Sequence, residues 1–182
     1  MVQESKYTGP NPLCKNPDRW HSPDADATEF EVTELVASLV RALQPELVIE
    51  TGTYLGHTAQ AIGDALRKNG HGRLITLEIN PEYIVAARER IVGLPVEILE
   101  INSMSFMPPG PVGFAWFDSA PEARVLEYLR YEPMLERIVG FHDTGPQHNI
   151  RPSIEHLEKA GHIKPIFLPT PRGMCIAEVL RR

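Results

Sequence analysis

The chain alternates between apolar residues at helical spacing and short continuous apolar runs. Residues 28–43 carry apolar side chains at helical spacing, which predicts an amphipathic helix that Pro45 closes. Thr28 and Glu31 have the spacing of a capping box at its start. Further helices are predicted at 58–68, 121–129 and 152–160, and another begins at Pro81. Seven apolar runs predict strands at 47–49, 74–77, 96–99, 114–117, 138–141, 165–168 and 174–179.

The order of these segments predicts the topology. Strands separated by helices favour a parallel sheet with helices on both faces. The loop at 169–173 is short enough only for a hairpin, so one of the last two strands runs antiparallel. We therefore expect an α/β fold: a Rossmann-like, doubly wound, mostly parallel seven-stranded sheet with a C-terminal antiparallel hairpin. Residues 1–27, rich in Pro, Asp, Asn and Ser, predict an irregular N-terminal arm before a single domain at 28–182.

Composition narrows the class of protein. A length of 182 residues suits one domain, and 42% apolar with 23% charged residues is typical of globular chains. The net charge of −6 and the lack of a basic block make a nucleic-acid partner unexpected. No apolar stretch has the length of a membrane helix. Cys14 and Cys175 have no metal-like spacing, and we expect reduced thiols in a cytoplasmic protein.

A ligand-binding turn is predicted where the first strand meets the second helix. An apolar strand ends at Glu50, passes Gly52 and Gly56, and enters a helix at Thr58. The two glycines allow a tight turn and a close approach of the backbone to a ligand. The first N–H groups of the helix attract a carboxylate, while Glu50 suits an ammonium group. A methionine moiety carries both charges, whereas Glu50 would repel a pyrophosphate.

Two further strand ends carry polar groups at the same edge of the sheet. Glu78 ends the second strand, where an acid in doubly wound folds accepts hydrogen bonds from ribose hydroxyls. Asn102 and Ser103 follow the third strand and are small enough to contact an adenine edge. The three strand ends together predict a nucleoside site.

These motifs resemble those of a known family. The segments 50–58, 78–81 and 142–144 look like class I S-adenosylmethionine-dependent methyltransferases, nearest the catechol-type and the small-molecule sugar and antibiotic O-methyltransferases. The likeness runs from about Thr28 to the C-terminus and includes the closing hairpin. It implies that S-adenosylmethionine donates a methyl group to a hydroxyl of a small-molecule acceptor. It also implies cofactor-binding roles for Glu50, Gly52, Thr53, Tyr54, Gly56, Thr58, Glu78, Ile79, Ser103 and Asp118.

Two acids are candidates for the reacting end of the site. Asp118 and Asp143 each follow an apolar strand, so their carboxylates converge if those strands are neighbours. Such a pair suits Mg²⁺ or another divalent metal, and matching acids bind one in the catechol-type relatives. The chain departs from that pattern, since Thr144 stands where those relatives typically have Asn, and no Lys follows Asp118. Asn149 is an alternative third ligand. If no metal binds, Asp143 and Thr144 instead cap the turn after the strand.

A general base is the other requirement for a hydroxyl acceptor. His142 is the leading candidate because imidazole titrates near neutral pH. Strand alternation, however, puts His142 and Asp143 on opposite faces of the sheet. The predicted catalytic residues are Asp118, His142 and Asp143, with His21, His57 and His148 as weaker candidates.

Two other functions remain open from the sequence. An NAD-dependent oxidoreductase could share this topology, but the G-x-G-x-x-G spacing is absent. A non-catalytic nucleoside-binding module would keep the pocket without the chemistry. Trp20 and His21 in the arm either cover the acceptor pocket or pack onto the body. The acceptor itself and a homodimeric state are also left open.

Overall fold

One seven-stranded sheet organises the chain between two layers of helices. The computed structural model describes residues 11–180. The strands are β1 (Leu47–Thr51), β2 (Arg73–Glu78), β3 (Val96–Glu100), β4 (Val112–Phe117), β5 (Leu135–His142), β6 (Ile163–Leu168) and β7 (Met174–Val179). The helices are α1 (Phe30–Leu43), α2 (His57–Asn69), α3 (Pro81–Arg90), α4 (Pro121–Tyr131) and α5 (Arg151–Lys159). None of these helices combines the length and the apolar character that crossing a bilayer requires.

The strand order is β3-β2-β1-β4-β5-β7-β6. The first five strands pair in parallel, whereas β7 runs antiparallel to both β5 and β6. The predicted mixed sheet with its closing hairpin is therefore confirmed. Each predicted strand exists, and most extend one to three residues beyond the apolar run because the backbone ladder continues into polar residues.

The sheet separates two apolar cores. Along β1, Leu47 and Ile49 pack into one core while Val48 packs into the other, as pleat alternation requires. Helices α1 and α2 cover the Val48 face, and α4 and α5 cover the opposite face. Full burial of each such aliphatic side chain contributes about 1.5–3 kcal/mol. This double burial explains why the strands appear in the sequence as continuous apolar runs.

Helix α1 begins two residues later than predicted, and the expected capping box is absent. Its N-cap is Glu29, which makes no side-chain capping bond. Thr28 lies one residue before that N-cap, and it donates its hydroxyl to Asp118 Oδ2 at 2.7 Å. Hydrogen bonds to a carboxylate are among the stronger ones in proteins. The arm is thereby attached to the end of β4.

The order of strands reverses between β1 and β4, and this places the candidate site. The chain runs outward through β2 and β3 on one side and through β5 on the other. Asp118 N donates to Thr51 O at 2.9 Å, which holds the two strand ends together. Open α/β sheets bind ligands in the crevice at such a switch point, beyond the carboxyl ends of the strands.

Candidate functional site

A cavity of about 250 Å³ opens at this switch point. Its walls come from the loops after β1, β4 and β5, from the first turn of α2, and from the arm. Of the residues predicted from the sequence, those that line it are Gly52, Thr53, Tyr54, Thr58, Asp118 and Asp143, together with the weaker candidates His57 and His148. The predicted residues beside it, outside the lining, are Glu50, Gly56, Glu78, Ile79, Ser103 and His142. The structure thus brings the cofactor turn and both acids to one cavity.

Gly52 forms the tightest part of the turn after β1. Its φ is +80°, in the left-handed region that favours glycine. A Cβ at this position would lie 2.4 Å from the carbonyl oxygen of Asp118. The missing side chain therefore allows β1 and β4 to meet, so the glycine is required by the protein's own packing before any ligand enters.

Glu78 holds the cofactor turn against the end of β2. Its Oε2 accepts from the backbone N–H of Tyr54 at 2.8 Å, and Tyr54 has a left-handed φ of 48°. Its Oε1 accepts from the N–H groups of Ile79 and Asn80 at 2.8 and 2.9 Å. A carboxylate offers about four acceptor positions, so one remains for a ribose hydroxyl. The predicted ribose contact stays a prediction.

Glu50 is a buried acid beneath the turn, with 1% of its surface exposed. Thr76 donates its hydroxyl to Glu50 Oε2 at 2.6 Å. Burial raises the pKa of Glu50 to about 8 in spite of that bond, and the carboxylates of Asp118 and Glu78 add to the rise. Without a cationic partner, Glu50 is therefore mostly protonated at neutral pH.

Glu127 of α4 is a site residue that sequence reasoning missed. Its carboxylate is fully buried and accepts hydroxyl hydrogen bonds from three loops at the carboxyl edge. The donors are Thr51 at 2.8 Å, Ser119 at 2.6 Å and Ser103. The side chain of Ser103, predicted to contact adenine, is thus fixed by Glu127. A charged residue at a core-facing position of α4 was the available signal.

Asp118, His142 and Asp143 converge, with one ligand atom of each within 4.8 Å of the others. The expected pairing of β4 with β5 brings the two acids together. The expectation that His142 and Asp143 face opposite ways is wrong: Asp143 Oδ1 lies 3.6 Å from His142 Nδ1. Asp143 follows the strand with a left-handed φ of 56°, which breaks the pleat alternation. Such backbone strain is common at functional sites.

His142 is buried between two carboxylates. Its Nδ1 lies 3.0 Å from Asp118 Oδ1, and its Nε2 lies 2.7 Å from Glu29 Oε2. Burial alone would lower the pKa of His142, but the surrounding carboxylates outweigh it and raise the pKa to about 10. The imidazolium donates from both nitrogens and keeps no lone pair. This geometry favours a positioning role over the predicted role of a base, which stays a prediction.

Two arginines bind the acids of this cluster. Arg172 contacts Asp143 with Nε and Nη2, at 2.6 and 3.0 Å from Oδ1 and Oδ2. Arg124 Nη2 lies 2.8 Å from Asp143 Oδ2 and 3.2 Å from Asp118 Oδ1. Burial raises the pKa of Asp143, but the nearby cations outweigh burial and hold it well below its usual range. Because guanidinium groups already occupy the carboxylate oxygens, this donor set does not fit a divalent cation.

The arm closes over the cavity through Arg172. Its Nη1 donates to the carbonyl of Asp26 at 2.6 Å, and its backbone N–H donates to Glu29 Oε1 at 3.0 Å. The arm residues that line the cavity are Asp26, Ala27 and Thr28. Trp20 packs against the α1–α2 core instead. His21 lies 3.0 Å from Glu31 and, like Trp20, is outside the cavity lining. The alternative in which Trp20 packs onto the body is therefore the one observed.

The close contact at Gly52 predicts a large effect of Gly52→Ala. Gly70 has the same φ, +81°, with open space around its missing Cβ, so Gly70→Ala isolates the cost of the backbone conformation. We expect Gly52→Ala to lower the free energy of unfolding by about 1–3 kcal/mol more than Gly70→Ala, because of overpacking. Urea denaturation of both variants measures the difference. Equal losses would mean that the β1–β4 contact is not tight.

A short part of the sequence resembles a curated protein. No protein-family model matches the chain. Catechol O-methyltransferase B of Danio rerio is 43% identical over 63 residues, which are 35% of this chain and 23% of that protein. The chain thus matches less than a quarter of that relative's length.

Solved structures extend the likeness to most of the chain. An O-methyltransferase of Streptomyces achromogenes involved in tomaymycin synthesis, in complex with S-adenosylmethionine, has a TM-score of 0.72 at 19% identity, covering 86% of this chain and 83% of that one. A Bacillus cereus O-methyltransferase, in complex with S-adenosylhomocysteine, has a TM-score of 0.71 at 16% identity, covering 85% and 83%. The chain therefore has the Rossmann-like fold of the S-adenosylmethionine-dependent O-methyltransferases.

Proposed function

We propose that this protein is an S-adenosylmethionine-dependent O-methyltransferase acting on a hydroxyl of a small molecule. The observation that carries the proposal is the cavity at the switch point, where the turn after β1 faces the acids after β4 and β5. The fold shared with methyltransferases that bind this cofactor or its product supports it. The short match to a catechol O-methyltransferase supports hydroxyl as the acceptor group.

The residues around the cavity fit the cofactor's charges. His57 and Thr58 line it at the start of α2, where backbone N–H groups lack partners within the helix. This helix end suits the carboxylate of the methionine moiety. Glu50 is assigned to the ammonium group, Glu78 to a ribose hydroxyl, and Ser103 to the adenine.

The chain's own residues then position the acceptor. The bound cofactor supplies an electrophilic methyl group, and in-line alignment with the acceptor oxygen is the main requirement. Well-oriented groups reach effective molarities of about 10⁵–10⁸ M. The side chain of Asp118 is 13% exposed and lines the cavity, so it takes the proton of the acceptor hydroxyl. His142 and Asp143 are buried, and they fix the orientation of the Asp118 side chain.

The competing NAD-dependent oxidoreductase requires a different ligand at the same turn. Glu50 lies beneath the turn, where a pyrophosphate would be placed, and no N–H-rich G-x-G-x-x-G loop is present. Calorimetric titration with each cofactor distinguishes the two functions.

Titration with S-adenosylmethionine is expected to show micromolar binding, and titration with NAD is expected to show none. Glu78→Ala should weaken binding at least about tenfold, or about 1.4 kcal/mol, because it removes the ribose acceptor and frees the turn. Glu100→Ala, at the paired and exposed end of β3, is the matched control. NAD binding, or equal effects of the two substitutions, would contradict the proposal.

Binding of the cofactor is also expected to release a proton from Glu50. The pKa of about 8 falls when an ammonium group arrives, so a protonated Glu50 ionises. At pH 6.5, below the pKa of a free α-amino group, the ligand is already charged and close to one proton leaves the protein. Binding therefore strengthens as the pH rises from 6.5, until the ligand's ammonium group begins to lose its own proton near its pKa.

Calorimetry at pH 6.5 in phosphate and in Bis-Tris measures this release, because both buffer at that pH and they differ in ionisation enthalpy. The heats should differ between buffers for the unsubstituted protein and coincide for Glu50→Gln. Identical heats for the unsubstituted protein would remove Glu50 from the ammonium site.

A further inference from the structure

Each carboxylate oxygen of the two acids expected to hold a divalent metal already contacts at least one donor. Both oxygens of Asp143 accept from Arg172, and Oδ2 also accepts from Arg124. Asp118 Oδ1 faces Arg124 and His142, and Oδ2 accepts from the hydroxyl of Thr28. A magnesium ion needs such oxygens at about 2.0–2.1 Å, so it could bind only by displacing these groups.

From this geometry we propose that Arg124 and Arg172 take the place of the divalent cation, so that methyl transfer here is independent of metal. The inference rests on the proposed function for the reaction, but its evidence is the set of ion pairs alone. The two guanidinium groups supply the positive charge that orients Asp143 and, through Arg124, Asp118. Planar guanidinium groups bind carboxylates in fixed bidentate geometry, as Arg172 does here.

Burial makes the displacement of either arginine costly. The side chain of Arg124 is 3% exposed and that of Asp143 is 2% exposed. Breaking a buried pair leaves an unpaired charge and is strongly destabilising. A metal would also bring two more positive charges to a cluster in which three cations already face three carboxylates: Arg124, Arg172 and His142 against Glu29, Asp118 and Asp143.

His148 is the further imidazole beside the acids, and it also contacts Asp143. It lines the cavity, and its Nε2 lies 3.3 Å from Asp143 Oδ1, so it adds to the partners of that carboxylate. Asn149, the alternative ligand considered from the sequence, is exposed and is not part of the cavity lining. Thr144 follows Asp143 and is buried, with its backbone N–H bonded to the carbonyl of Gly173 at 3.0 Å. Asp143 is thus surrounded by the two arginines and His148.

Arg172 also connects the cluster to the arm. The guanidinium that binds Asp143 donates through Nη1 to the carbonyls of Ala25, Asp26 and Ala27. One cation therefore fixes the acid and closes the arm over the cavity. A metal ion at the acids could not make these hydrogen bonds, since it donates none.

Manganese binding, followed by electron paramagnetic resonance of free Mn²⁺, tests the inference without any cofactor or acceptor. The unsubstituted protein is expected to bind no Mn²⁺ stoichiometrically, even at millimolar concentration. Stoichiometric binding at micromolar Mn²⁺, abolished by Asp143→Asn, would overturn the inference. The absence of binding is read from the unsubstituted protein alone, and Asp143→Asn serves to locate any ion that binds.

Removing the guanidinium tests the replacement directly. Arg172→Ala removes one donor from each oxygen of Asp143 and leaves Arg124 at Oδ2 and His148 beside Oδ1. It is expected to strengthen Mn²⁺ binding at least about tenfold. Asp143→Asn in the same chain should remove that gain. Arg67→Ala, whose side chain is 60% exposed on α2 and pairs with Asp64, is the matched control and should gain nothing. A folded Arg172→Ala that binds Mn²⁺ no better than the control would contradict the inference.

The two proposals fail in different ways. Failure to bind S-adenosylmethionine removes the proposed function and leaves the Mn²⁺ result standing. A protein that binds both S-adenosylmethionine and Mn²⁺ keeps the proposed function and loses the metal-independent site.

Discussion

The reacting end of this molecule depends on the ion pairs that Arg124 and Arg172 make with the Asp143 carboxylate. The carboxylate is buried, and the His142 imidazolium together with both guanidinium groups holds it as an anion. Arg124 reaches it from α4, and Arg172 reaches it from the hairpin loop between β6 and β7. The antiparallel hairpin, α4 and the end of β5 are therefore held together by one cluster of charges.

The cofactor side of the cavity depends on a different kind of contact. Three buried carboxylates, those of Glu50, Glu78 and Glu127, hold strand ends by accepting hydrogen bonds from hydroxyl and backbone groups. Each bond joins segments that are distant in sequence. Gly52 allows the ends of β1 and β4 to approach closely. The turn is thus preorganised, and a ligand entering it meets fixed donors and acceptors.

The sequence predicted the sheet well because its signals are local. Apolar runs and helical spacing identified all seven strands and five helices, and the short loop before β7 required the hairpin. The acids at the ends of β4 and β5 were identified for the same reason, since strand ends converge in a parallel sheet. Helix α1 began late, and Thr28 binds a carboxylate 90 residues away, which no local pattern reveals.

The side chains that pair with Asp118 and Asp143 could not be predicted from local patterns in this way. Arg124 and Glu127 occupy core-facing positions of a helix, which is a detectable oddity, but their partners lie on other elements. Arg172 lies in the short loop at 169–173, and nothing in that loop's sequence reveals the partner of its guanidinium. The left-handed φ of Asp143 decides that it faces His142, and backbone conformation at one residue is invisible to strand alternation. Ion pairs between residues that are distant in sequence can be identified only once the fold is known.

A crystal structure of the protein grown with S-adenosylhomocysteine and Mn²⁺ would show both the cofactor site and the contacts of the two acids. We expect the nucleoside product in the switch-point cavity, with its methionine end at the turn from Gly52 to Thr58. We also expect Arg172 still bound to Asp143 and no anomalous manganese signal between Asp118 and Asp143. A manganese peak there with Arg172 displaced, or a nucleoside bound elsewhere, would contradict these expectations.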